Sequence, residues 1–289
     1  MAKRWQFAGD KIFGIVIFII LVVFALIIAY PLYWIVISSF SEPFAVMSGN
    51  VTLLPVEPGL RMYRIVLQHP EIARTYLNTV IYTLVGTVIS VTLSMLCAYP
   101  LSRRDFFGKG FFMAALMFTM FFSGGMIPLF LQVRSLGMLN TIWAIVLPGA
   151  MSVYNTIIMR TFYISTIPQE LEESAFLDGA NDLQFFIKIV IPLSQTIVAV
   201  MILFYGVVHW NSWFSAFLYM SSRRLYPVQL ILREIILQGA NQNATTDQEF
   251  IGDGVKYATM VITTLPIMCL YPFLQKYFTK GVMVGSLKG

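Results

Sequence analysis

The stretch Ile167-Pro168-Gln169-Glu170-Leu171-Glu172-Glu173-Ser174-Ala175-Phe176-Leu177-Asp178-Gly179-Ala180-Asn181-Asp182 lies between two long apolar runs. Thr166 and Pro168 supply helix-start chemistry, good helix formers follow, and Gly179 can take the left-handed conformation that ends a helix. The spacing predicts a short helix of about three turns, with Leu171, Ser174, Ala175 and Asp178 on one face. Glu170, Glu172 and Glu173 sit at its start, where carboxylates suit the helix dipole. A second short helix, Leu183 to Ile189, leads to Pro192 and the next apolar run.

Outward from that loop the chain is dominated by apolar sequence. Of 289 residues, 58% are hydrophobic and 11% are charged, against about 45–50% and about 25% in soluble domains. So few charges cannot cover a water-exposed surface, and an ordinary soluble enzyme is excluded. Stretches of about 17 or more apolar residues are long enough to cross a bilayer. Six are found: Ile12 to Ile37, Leu77 to Leu101, Phe111 to Val133, Ile142 to Met159, Leu193 to His209 and Tyr257 to Phe278. The first is too long for a signal-peptide core and is read as a retained span. The expected fold is an all-α membrane protein of six transmembrane helices, a single transmembrane domain over residues 1–289, with loops at 38–76, 160–192 and 210–256.

Net charge is +5, and the basic residues gather at span ends, which argues for membrane boundaries and against nucleic-acid binding. With the N-terminus inside, the inner segments hold Lys3, Arg4, Lys11, Arg103, Arg104, Lys109, Arg160, Lys188, Lys276, Lys280 and Lys288. Arg61, Arg64, Arg74, Arg134, Arg223, Arg224, Arg233 and Lys256 fall outside, most of them spread over long loops. The positive-inside rule therefore puts both termini and the 160–192 loop in the cytoplasm. No Asp, Glu, Lys or Arg occupies the middle of any span. The competing class is a secondary carrier or channel for small polar solutes; proton- and ion-coupled carriers often bind the coupling ion on buried ionisable groups, so energy should come from elsewhere.

The spacing Glu173-Ser174-Ala175, three residues, Gly179, nine residues, Ile189, one residue, Ile191-Pro192 resembles the EAA loop of binding-protein-dependent ABC importers. Ser174 stands for the middle Ala of that pattern and Ile191 for its Leu. Tyr30-Pro31-Leu32, Asn78-Thr79, Ala98-Tyr99-Pro100-Leu101-Ser102-Arg103 and the tail from Lys280 to Gly289 are similar to the carbohydrate branch and its smaller maltose-type permease. Phe122-Ser123-Gly124-Gly125-Met126-Ile127-Pro128, His209-Trp210-Asn211-Ser212-Trp213-Phe214 and the run from Leu225 to Glu234 resemble permeases for complex oligosaccharides, the alginate importer among them.

The resemblance implies a multi-pass permease subunit of the bacterial cytoplasmic (inner) membrane, paired with a second permease and served by an extracytoplasmic sugar-binding protein. Leu171, Glu172, Glu173, Ser174, Ala175, Asp178, Gly179, Ile189 and Pro192 would couple to a separate ATPase dimer. The chain has no G-x-x-x-x-G-K-[ST] loop to cradle phosphate. It is therefore expected to bind no cofactor itself, with ATP and Mg on the partner, and not to be an enzyme.

A sugar path needs hydrogen-bonding groups and aromatic faces, for which Gln132, Tyr154, Asn155, Trp210, Asn211 and Trp213 are candidates. An interfacial aromatic belt competes for Trp210 and Trp213, and interhelical hydrogen bonding for Tyr154 and Asn155. Val228, Ile231, Leu232 and Ile235 form one apolar helical face, expected on the membrane or against a partner subunit. Gln238 to Gly254 is polar and reads either as a linker or as a segment entering the binding protein's cleft. His69 and His209 lack neighbours at ligand spacing and are expected at interfaces.

Overall fold

The computed structural model describes residues 2–68, 70–241 and 254–269. Among them there is helix and no strand. In chain order the main helices are α1 (Ala2–Phe40), α2 (Ile72–Ser102), α3 (Lys109–Phe121), α4 (Met126–Ser135), α5 (Val153–Thr166), α6 (Gln169–Leu177), α7 (Asp182–Leu193), α8 (Gln195–Trp210), α9 (Val228–Asn241) and α10 (Gly254–Cys269). The chain divides into two compact units, one of residues 1–70 with 232–264 and the other of 71–231 with 265–289.

In the first unit, the Phe13–Phe40 part of α1 is a continuous apolar helix with 0% of its most apolar window buried in the protein. Such a surface requires an apolar solvent. Only its C-terminal end packs, where Ile37 joins Ala45, Val46 and Val51 in a small core. Trp34 anchors it by donating Nε1–H to the Val51 carbonyl at 3.0 Å and meeting Tyr257 edge-on at 5.3 Å. Residues 41–68 are not a loose connection. They fold into two short helices, Pro43–Met47 and Arg61–Gln68, and Ser39 Oγ pairs with Tyr63 OH at 2.6 Å.

The second unit is built on α2, whose 31 residues reach about 45 Å, the thickness of a bilayer with its headgroups. One core joins Val91, Met95 and Ala98 of α2 to Met159 and Tyr163 of α5, Ala175 of α6, Phe185, Phe186 and Val190 of α7, and Ile197, Met201 and Tyr205 of α8. Small residues at Gly86, Ser90, Ser94 and Ala98, one turn apart on α2, let α8 approach closely. At Gly86 an added Cβ would stand 2.7 Å from the His209 ring. His209 is buried there and its Nε2 pairs with Ser90 Oγ at 3.0 Å. One register further, Ser94 Oγ meets Tyr205 OH at 2.6 Å, and Tyr205 OH accepts the Ser152 N–H at 3.0 Å.

Several sequence expectations are corrected. The run Phe111 to Val133 is not one straight span: α3 and α4 meet at 112°, because Gly125 takes φ 87°, a conformation that Gly alone adopts cheaply. The run Ile142 to Met159 divides into Trp143–Val146 and α5. Pro148 interrupts it, and Ser152 Oγ caps the new helix by accepting the Asn155 N–H at 3.4 Å. Leu193 to His209 starts as α8 only at Gln195, after a 79° bend that follows a π-turn at Phe186–Val190 and Pro192. Phe13–Phe40 and Ile72–Ser102 are long and apolar enough to cross a membrane, and each bent pair counts as one more if it forms a single span. His209 is not interfacial but packed between helices. The apolar face of α9 does not await lipid or a partner at Val228 and Ile231: both are buried in the protein, and the Val228 N–H donates to Thr79 Oγ1 at 2.8 Å. His69, most of Gln238 to Gly254, the end of the sixth apolar run and the tail from Lys280 lie outside the described residues.

Candidate functional site

The acidic loop folds as α6 and α7. Gly179 ends the first helix at φ 83°, and Asn181 starts the second through a capping box, its side chain accepting the Gln184 N–H at 2.8 Å while Gln184 Oε1 accepts the Asn181 N–H at 3.1 Å. The face that turns inward differs from the one that spacing suggested. Ala175 is buried and Leu171 packs against the core, whereas Ser174 and Asp178 are exposed. The predicted stripe straddles the boundary because Glu172 and Phe176, on its flank, also turn inward toward Arg103.

Arg103 is the anchor, a role that neither its place at a span end nor its place in the Ala98–Arg103 motif predicts. It follows the last residue of α2 and is 9% exposed. Its Nη2 forms ion pairs with Glu172 Oε1 and, at 3.6 Å, with Asp182 Oδ1, while Nε donates to Asp105 Oδ1 at 3.3 Å. Nη1 donates to Tyr99 OH at 3.3 Å, and the guanidinium lies 5.1 Å from the Phe176 ring centroid and 6.0 Å from that of Phe185. Residues from α2, α6 and α7 thus converge on one planar cation. Burial works against the charge on Arg103, but the hydrogen bond to Asp105 and the fields of Tyr99, Glu172 and Asp105 outweigh it and raise its pKa. Glu172 is raised as well: burial dominates, and Asp105, Asp182 and Glu173 add to it against the pull of Arg103. Arg160 Nε donates to the Leu101 carbonyl at 2.8 Å and Lys109 Nζ to the Arg103 carbonyl at 2.9 Å, so cations also cap the C-terminal end of α2.

The remaining proposed coupling residues separate by placement. Ile189 packs on the core, and Glu173, Gly179 and Pro192 are exposed. Glu173 accepts from Gln169 Nε2 at 2.8 Å along its own helix. Leu177, absent from the sequence candidates, is 89% exposed. Its sequence signal was available: it falls one position outside the inward face.

At the opposite end of α2 a second set of contacts gathers residues 223–228. Asn78 Nδ2 donates to the Arg224 carbonyl at 2.9 Å and the Tyr226 carbonyl at 3.1 Å, Tyr82 OH donates to the Leu225 carbonyl at 2.9 Å, and Arg223 pairs with Glu71 at 2.9 Å. The acidic loop and this segment therefore contact α2 at points about 30–50 Å apart along the helix.

The sugar-path candidates stand on separate elements. Gln132 is exposed on α4, and Tyr154 is exposed at the start of α5 beside buried Asn155. Trp210 is buried at the end of α8, edge-on to Tyr76 at 5.7 Å. Asn211 is exposed with Nδ2 donating to the Val207 carbonyl at 2.9 Å, and Trp213 is half-buried against Phe214. Among the described residues no His, Cys, Asp and Glu cluster of metal-ligating size occurs.

Residues 90–284 match the family model described as the binding-protein-dependent transport system inner membrane component. The chain belongs to this family. A permease of this kind named for polygalacturonan/rhamnogalacturonan transport, YtcP of Bacillus subtilis (strain 168), is 40% identical over 287 residues, covering 97% of this chain and 99% of the relative. Protein LplC of the same organism is 38% identical, covering 90% and 89%. A crystal structure of a bacterial ABC transporter involved in the import of the acidic polysaccharide alginate contains a chain 35% identical with TM-score 0.85, covering 93% and 98%. This family member is thus a permease, an inner-membrane transport component and not an enzyme.

Proposed function

We propose that this chain is one of two permease subunits of an ATP-driven importer of oligosaccharides, coupled through α6 to a separate ATPase dimer that holds ATP and Mg. The observation that carries the reading is the two-sided α6. Its inner side is fixed to α2 through Arg103, and its outer side presents Glu173, Ser174, Leu177, Asp178 and Gly179. A helix held rigidly on one side and bare on the other suits the transmission of a partner's motion. An exposed Leu set among carboxylates suits insertion into a partner cleft with an apolar floor and a basic rim.

Both termini and the α6 loop face the cytoplasm in this reading, six segments cross the membrane, and a sugar-binding protein delivers substrate at the end of α2 where Asn78 meets Arg224. The substrate class is oligosaccharide fragments of complex, acidic polysaccharides, in keeping with the names of the relatives. Gln132, Tyr154, Asn211 and Trp213 are the path residues that exposure favours, while burial makes Asn155 and Trp210 packing residues.

Purification of the chain from its host membrane tests the assembly. An ATPase subunit and a second permease should co-purify, and hydrolysis should rise with the binding protein and uronate-containing oligosaccharides. A chain that transports alone, with no nucleotide requirement, would overturn the reading.

A further inference from the structure

Residues 12–41 carry no charge between Lys11 and Glu42, and residues 43–56 carry none between Glu42 and Glu57. Within the first unit, three side chains of α1 hold the second of these stretches by its backbone. Trp34 Nε1–H donates to the Val51 carbonyl at 3.0 Å, Tyr30 OH to the Thr52 carbonyl at 3.2 Å and Tyr33 OH to the Leu53 carbonyl at 2.5 Å. Three consecutive carbonyls thus accept from one helix. A little further on, the Val56 N–H donates to Ser41 Oγ at 3.2 Å and the Val56 carbonyl accepts the Glu42 N–H at 3.0 Å. Val51 is buried in the small core with Ile37, and the chain bends over 52–54, leaving Leu53 64% and Leu54 73% exposed.

The three donors also fix the depth of this bend. Counted from Lys11, a hydrocarbon core of ~30 Å takes up about 20 residues of helix and ends close to Pro31. Tyr30, Tyr33 and Trp34 stand at that edge, where amphipathic rings collect. Carbonyls bonded to them lie at the same depth. In a water-exposed loop such carbonyls bond to water, whereas beside hydrocarbon they need donors from the protein. Here two phenols and an indole supply them. The bare leucines also continue the bare surface of α1, none of whose most apolar window is buried in the protein.

We propose that the bend at 52–54 is a membrane anchor, with Leu53 and Leu54 inserted into the lipid leaflet at the C-terminal end of α1 and with Tyr30 and Tyr33 as its positioning residues. Lipid is the occupant because a protein interface carries a polar, charged rim, and no charge lies between Glu42 and Glu57. The anchor holds the segment after α1 at a set height on the membrane. It needs only that α1 crosses a bilayer, and so stands apart from the transport reading and from the docking of any subunit.

The test uses the full chain with its co-purifying subunits, in nanodiscs of phosphatidylethanolamine and phosphatidylglycerol and in a background without Cys97 and Cys269. Nitroxide labels are attached singly at Leu53→Cys, Leu54→Cys, Asn50→Cys and Phe24→Cys, and their collision rates with oxygen and with a water-soluble nickel chelate are measured. The oxygen-to-nickel ratio at Leu53 and Leu54 should exceed that at Asn50 severalfold and approach that at Phe24. Tyr30→Phe with Tyr33→Phe should release the bend and raise nickel collisions at Leu54 severalfold. All four labelled positions are exposed, so the single labels keep the test decisive if the tyrosine pair misfolds. A ratio at Leu53 and Leu54 equal to that at Asn50 overturns the anchor, because the bend is then in water. Labels shielded from both reagents overturn it as well, because a protein partner then covers the leucines. An unchanged ratio in a folded tyrosine variant overturns the positioning role.

Discussion

Arg103 and Glu172 are held together by an ion pair that ties the foot of α2 to the acidic helix α6. The two partners are not equivalent. Arg103 is almost fully buried, with three carboxylates and the Phe176 ring arranged around it, whereas the Glu172 side chain is 25% exposed.

Arg103→Ala should therefore cost on the order of 2–4 kcal/mol, since it leaves Glu172, Asp105 and Asp182 clustered without a cation and removes the packing of the guanidinium. Glu172→Gln should be near neutral at pH 7. The fold raises the pKa of Glu172, so the native state holds that proton more tightly than the unfolded chain. Stability from this group then falls as pH rises through the raised value, and a neutral isostere avoids the loss. Asp105 is lowered, chiefly by its hydrogen bond from Arg103. Its contribution has the opposite sign, present above the unfolded pKa and lost as pH falls through the folded one. Thermal unfolding of the two variants in detergent between pH 4 and 8 checks both signs.

Gly86→Ala should destabilise by about 1–3 kcal/mol, the range for overpacking a tight helix contact, because the new methyl would meet the His209 ring at 2.7 Å. Adding His209→Ala should recover part of that loss, while His209→Ala alone should weaken the α2–α8 contact by removing the Ser90 hydrogen bond. A double-mutant cycle on thermal stability measures the coupling. Strict additivity would show that the ring does not pack there.

Leu177→Asp and Glu173→Lys change only exposed positions of α6 and should leave the unfolding free energy within about 0.5 kcal/mol of the parent. Both should reduce binding-protein-stimulated ATP hydrolysis and uptake by an order of magnitude or more. Parent-level stimulation and uptake in both variants would remove α6 as the point of coupling.

Sidedness is open to direct labelling. In a background without Cys97 and Cys269, Ser174→Cys should react with an impermeant thiol reagent only from the cytoplasm, and Ser221→Cys only from outside. Reaction of both from one face contradicts their placement at opposite ends of α2.

Composition and periodicity by themselves determined that lipid is the main solvent, that the acidic loop forms two short helices around Gly179, and, through the spacing from Glu173 to Pro192, which family the chain resembles. Those properties are local: run length, caps and a left-handed glycine leave their mark within a few residues. Tertiary structure decided where the apolar runs bend, because hydropathy is summed over a window and cannot register that Gly125 turns α3 into α4 or that Ser152 caps a new helix. It also decided which side of α6 is inward, since the boundary is set by a partner far away in the chain. Arg103 reads in sequence as one more cation at a membrane edge, and His209 as a lone interfacial histidine. Only the packing of α2 against α6, α7 and α8 brings carboxylates and an aromatic ring to the first, and Gly86 and Ser90 to the second. Contacts between groups distant in sequence depend on the three-dimensional path of the chain, and no local pattern encodes them.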